Sequence, residues 1–85
     1  MSKLEKIIYR VLQGTSDNNI PFKDLKFLML ALGFEERIKG SQHIYTKDGI
    51  IEILNLQPKS SKSKPYQVKQ VREIILKYKL GDLII

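Results

Sequence analysis

Gln42 to Lys47 alternates apolar and polar residues and Ile50 to Leu56 is rich in β-branched ones, with Asp48-Gly49 between them, a dipeptide suited to two-residue turns between antiparallel strands. That turn sets a register. Lys47 faces Ile50, Tyr45 faces Glu52 and His43 faces Leu54, while Ile44 pairs with Ile53 and Thr46 with Ile51 on the other side; the Ile44 and Ile53 side is the expected core face. Phe34 to Lys39 alternates as well and forms a third expected strand. If Phe34 and Ile38 join the core, a three-residue connection, Gly40-Ser41-Gln42, puts Lys39 opposite His43 and Arg37 opposite Tyr45. One imidazole, one phenol ring and two cations then share the solvent face of a three-stranded sheet.

Helical patterns flank the strands. Ser2 and Glu5 match a capping box, and Leu4, Ile7, Ile8, Val11 and Leu12 recur on one face up to Gln13, with Gly14 as the stop. Pro21 suits a first helical turn, and Leu25, Leu28, Met29 and Leu32 form the next stripe, ended by Gly33. This helix also carries Phe22, Phe27 and Leu30, and is expected to be the most buried. Gln57 to Pro65 reads as a flexible lysine and serine loop, too polar to pack. A last helix begins near Pro65, with Val68, Val71, Ile74, Ile75 and Tyr78 on one face and Gly81 at its end. The apolar ending, Asp82-Leu83-Ile84-Ile85, suits docking on the core or on another chain.

An 85-residue chain that is 42% hydrophobic and 28% charged fits one small domain over residues 1–85, with 1–14 as an extra helix and 21–80 as the core. It has no cysteine, which excludes disulfides and thiolate chemistry. No run approaches the roughly 18 apolar residues of a spanning helix, so the expectation is a soluble, cytoplasmic protein with no membrane partner. The formal net charge is +6 and unevenly placed: from Gln57 to Lys79, Lys59, Lys62, Lys64, Lys69, Arg72, Lys77 and Lys79 stand against Glu73. Such a surface suits a polyanion, since each phosphate neutralised releases counterions; it equally suits solubility alone.

His43 is the only histidine, and an imidazole exchanges protons near neutrality, as chemistry on a ribose hydroxyl requires. The plainer reading makes it one more polar residue on a half-exposed strand. Hard-cation sites want several carboxylates, and only Asp48 and Glu52 lie near it in this register, so no metal and no small-molecule cofactor is expected. Lys39 or a loop lysine is the expected phosphate partner, Ser41 a possible hydrogen-bond donor to it, and Tyr45 a ring on which an unpaired base can stack. Free amides at the last helix start, beside Lys59, Lys62 and Lys64, offer a phosphate cradle.

Asp24 to Lys79 resembles the HicA family of toxin–antitoxin ribonuclease toxins. The resemblance lies in Leu32-Gly33-Phe34-Glu35, then Gly40-Ser41-Gln42-His43-Ile44-Tyr45, Asp48-Gly49, a basic loop and Val71-Arg72-Glu73-Ile74-Ile75. It implies an α+β, dsRBD-like α-β-β-β-α fold, here with an additional N-terminal helix, whose three-stranded antiparallel sheet has helices on one face. It also implies a metal-independent endoribonuclease acting on mRNA, a HicB-type antitoxin as partner, and His43 as the catalytic histidine closing a Gly-Ser-X-His motif. Arg37, Lys39, Gly40, Ser41, Tyr45, Lys59, Lys62 and Lys64 are the candidate RNA-binding residues. The chain departs from the family at Gln57-Pro58 and at Pro65-Tyr66-Gln67-Val68, where many members carry a histidine and a glycine-threonine-leucine step. A non-catalytic RNA-binding module of the same fold is the main alternative, and an adaptor docking through its first helix and apolar tail is a third.

Overall fold

Ser2 Oγ accepts from the Glu5 amide at 3.1 Å and the Glu5 carboxylate accepts from the Ser2 amide at 3.2 Å, closing the capping box of α1 (Lys3–Gln13) in the computed structural model, which describes residues 1–84. Gly14, at φ 72°, ends this helix in the left-handed region where a side chain is disfavoured. A 3₁₀ turn (Asp17–Asn19) leads to α2 (Phe22–Ala31), then β1 (Glu35–Lys39), β2 (Gln42–Lys47), β3 (Ile50–Leu56), α3 (Pro65–Lys77) and a 3₁₀ turn (Leu80–Leu83). The sheet is antiparallel in the order β1-β2-β3. The fold is thus α+β, with three helices and an open three-stranded sheet, as expected from the sequence.

Ile8 and Val11 of α1, Leu25, Leu28 and Met29 of α2, and Val68, Val71 and Ile75 of α3 share one core with Phe34, Tyr45, Leu54 and Leu56. Arg72 braces it from the edge. Its guanidinium donates to both Asp17 carboxylate oxygens, at 3.0 and 3.1 Å, and to the Val11 carbonyl at 3.1 Å, tying α3 to the end of α1. The expectation of a deeply buried α2 holds for its stripe but not for Phe27 and Leu30, which are 42% and 44% exposed on its outer side. No helix among the described residues is long and apolar enough to cross a membrane.

The expected strand boundaries agree to within one residue, but the faces exchange roles. The β1–β2 turn holds two residues, Gly40 and Ser41, not three: Lys39 pairs with Gln42, Ile38 with His43, Arg37 with Ile44 and Glu36 with Tyr45. Gly40 takes φ 62°, the positive value that the first central position of a type II′ turn requires. One residue fewer in the turn reverses every β1 side chain relative to β2, so Arg37 and Lys39 lie on the sheet face opposite His43 and Tyr45. In the second hairpin Lys47 pairs with Ile50 as expected. An irregularity then sets Ile51, Glu52 and Ile53 opposite Thr46 alone, so that Tyr45 faces Leu54 and His43 faces Leu56.

The covered face is that of Tyr45, Leu54 and Leu56, while Ile51 and Ile53 are 89% and 66% exposed; the expected Ile44 and Ile53 core is corrected accordingly. β-branched side chains favour strands without needing burial, and a tyrosine can be buried once its hydroxyl has a partner. The lysine loop is corrected too. Lys59 and Lys62 exchange backbone hydrogen bonds, at 2.9 and 3.2 Å, while Phe22 N donates to Ser61 O and Ser63 N to Ile20 O, both at 2.9 Å. Polar side chains do not stop a backbone from docking, and this one is pinned to the start of α2. At the other end, Leu80 is buried and Ile84 packs against the core, so that segment docks internally; Ile85 lies outside the described residues.

Candidate active site

His43 is the second residue of β2, one place after Gln42, and its ring lies against the start of α2. The Phe22 ring meets the imidazole edge-on, with centroids 4.9 Å apart and planes at 62°. The histidine side chain is only 16% exposed. It is therefore a lining residue of a hollow and not the open-face residue expected from alternation.

That hollow is an open cleft of about 600 Å³ between the start of α2 and the 58–61 loop, lined by Pro21, Phe22, Lys23, Lys26, His43, Pro58, Ser60 and Ser61. It is large enough for parts of one or two nucleotides. Its lining joins apolar and aromatic side chains with two lysines and two serines, the mixture that a base and its phosphate require.

Behind the imidazole stands a carboxylate that sequence reasoning did not single out. Glu36 Oε2 accepts from the Tyr45 hydroxyl at 2.6 Å and lies 3.3 Å from His43 Nδ1, while Lys26 Nζ is 3.6 Å from Oε1. Burial acts to raise the Glu36 pKa, but the hydrogen bonds from Tyr45 and His43, with the Lys26 charge, outweigh it and hold the carboxyl below its ordinary value. Burial, and then the hydrogen bond to Glu36, push the Tyr45 phenol well above the usual tyrosine range. At neutral pH the pair is a phenol donating to a carboxylate. His43 Nε2 has no hydrogen-bonding partner among the described residues.

The remaining sequence candidates divide. Ser41 is exposed in the turn and its Oγ accepts from Gln57 Nε2 at 2.8 Å, while Gly40 beside it has open space where a side chain would begin. Tyr45 is fully buried, so it supports the site from within and is not a stacking platform. Arg37 and Lys39 are exposed on the far face and cannot flank His43. Lys59, Lys62 and Lys64 do not line the His43 cleft but an adjoining hollow that shares Ser60 and Ser61 with it. The cations beside the imidazole are instead Lys23 and Lys26. A reading of the α2 heptad could have found them, since residues one turn apart at a helix start share a face. Glu36 carried no signal, because its role depends on the length of the β1–β2 turn.

No three histidine, aspartate or glutamate side chains among the described residues converge as a metal site. No family model, curated protein or solved structure matches this chain.

Proposed function

We propose that the chain is a HicA-like toxin of a type II toxin–antitoxin system, a cytoplasmic, metal-independent endoribonuclease that cleaves mRNA through His43 and is restrained by a HicB-type antitoxin. The observation that carries this reading is the cleft itself, which joins one imidazole, its Nε2 without a partner among the described residues, to the Phe22 ring and to Lys23 and Lys26. The Gly40-Ser41-Gln42-His43 motif at the turn into β2 supports it through the family resemblance.

In this reading, Nε2 of His43 takes the proton of a ribose 2′-hydroxyl, whose oxygen attacks the adjacent phosphorus. The bond to the 5′-oxygen breaks, that oxygen is protonated by water at the cleft mouth, and a 2′,3′-cyclic phosphate remains. Lys23 and Lys26 oppose the charge that gathers on the phosphorane oxygens. The lysines of the 59–64 loop hold the flanking phosphates outside the cleft. An antitoxin that blocks His43 directly has to cover the start of α2 and the 58–61 loop. The surface carrying Arg37 and Lys39 lies on the other side of the sheet.

The contact with Phe22 and the low exposure of His43 favour a second reading, in which the imidazole is a packing residue of a non-catalytic RNA-binding module. Inducible expression of wild type and His43→Gln separates the two. The first reading expects growth arrest and mRNA fragmentation by wild type only, with the variant folded by circular dichroism. Equal toxicity of a folded His43→Gln would overturn the catalytic assignment.

A further inference from the structure

Glu36, His43 and Tyr45 sit on the covered face of the sheet, and strand pairing fixes their relation: Glu36 is directly across from Tyr45 and diagonal to His43, which pairs with Ile38. The carboxylate therefore comes from a strand position two residues from the cross-strand neighbour of His43, not from a flexible arm. Its Oε2 stands 3.3 Å from Nδ1 and 2.6 Å from the Tyr45 hydroxyl.

A neutral imidazole carries its proton on one nitrogen only. With the proton on Nε2, the Nδ1 lone pair would point at an anionic oxygen and a donor would point into the cleft. With the proton on Nδ1, the contact is a hydrogen bond to a carboxylate and the lone pair of Nε2 faces the cleft. We infer that Glu36 is a positioning residue for His43, accepting from Nδ1–H so that Nε2 stands ready in the cleft as a proton acceptor. This rests on the reading of His43 as the base.

Tyr45 and Phe22 complete the arrangement. The Tyr45 hydroxyl occupies Oε2 from the core side and keeps the carboxylate from rotating away. The Phe22 ring edge limits rotation of the imidazole. When His43 takes a proton, Glu36 also supplies the charge that stabilises the imidazolium. A purely structural Glu36, present only to satisfy the buried Tyr45 hydroxyl, would leave the tautomer of His43 indifferent to its removal.

Because His43 is the only histidine, long-range ¹H–¹⁵N correlation on the uniformly labelled full chain reads its tautomer directly. At alkaline pH, on the neutral ring, wild type is expected as the Nδ1–H form and Glu36→Ala as mainly Nε2–H. Glu36→Gln, whose amide oxygen can still accept, keeps the Nδ1–H form; should Glu36→Ala fail to fold, the tautomer of the wild type itself carries the test. In cleavage assays Glu36→Ala lowers kcat by about 10²-fold, the scale of a general base's contribution, with KM unchanged, and Glu36→Gln recovers part of the loss. An Nε2–H tautomer in wild type, or the wild-type tautomer in folded Glu36→Ala, would overturn the inference whatever the RNA does. A Glu36-dependent tautomer in a chain that cleaves no RNA would leave the positioning intact and sink the ribonuclease reading instead.

Discussion

Tyr45→Phe isolates the one hydroxyl that lets a polar side chain serve as core. Tyr45 is 0% exposed and its hydroxyl donates to Glu36 at 2.6 Å. Hydrogen bonds to charged acceptors contribute about 1.5–3 kcal/mol. Without it the carboxylate, whose side chain is 13% exposed, keeps His43 at 3.3 Å and Lys26 at 3.6 Å, so it is weakened and not stranded. We therefore expect a loss of about 2 kcal/mol, in the middle of that range, and a fall in Tm of roughly 8–16 °C for a domain of this size. Urea unfolding followed by circular dichroism at neutral pH measures it.

The same pair has an alkaline signature. Native Tyr45 holds its proton to higher pH than an unfolded tyrosine, which titrates near pH 10. Below about pH 10 both states are protonated and the contribution is constant; above it the unfolded chain loses a proton that the native chain keeps, so stability falls by about 1.4 kcal/mol per pH unit. The advantage of wild type over Tyr45→Phe should shrink accordingly above that point. A neutral-pH difference under about 0.5 kcal/mol, or an advantage that grows with alkaline pH, would refute the account of this core.

Arg72→Lys keeps the charge but loses the forked contact with Asp17 and the bond to Val11 O, and should cost about 2 kcal/mol in urea unfolding. Replacing Lys59, Lys62 and Lys64 with Ala should weaken RNA binding and reduce the log–log salt slope by roughly one unit per lost phosphate contact in fluorescence titrations. In RNA cleavage assays Arg37→Ala and Lys39→Ala, on the far face of the sheet, should alter the rate far less than Lys23→Ala and Lys26→Ala do.

Element boundaries were legible because their signals are local: the Ser2 capping box, Gly14, the Asp48-Gly49 turn and Pro65 each act within a few residues. Which sheet face is covered was not legible, because that choice is made by partners distant in sequence. Ile51 and Ile53 look like core by composition, yet the helices cover Leu54 and Leu56, and the polar Tyr45 is buried only because a β1 carboxylate reaches its hydroxyl. The candidate site failed at the same step. His43 was identifiable as the sole imidazole beside a glycine-led turn, but its neighbours depended on whether that turn held two residues or three. With two, Arg37 and Lys39 leave and Glu36 arrives. The docking of the lysine loop was equally hidden, since backbone amides and carbonyls make it and side-chain character does not report them.

The central claim is that His43 is a base acting on a ribose hydroxyl, and its most direct measurement uses the purified chain on a short RNA in excess chelator, with product ends identified by mass spectrometry. The account predicts fragments ending in a 2′,3′-cyclic phosphate or its hydrolysis product, no cut at a position carrying a single 2′-deoxy substitution, and no activity in folded His43→Gln. Cleavage that proceeds through the 2′-deoxy position, requires a divalent cation or leaves 5′-phosphate ends would contradict it.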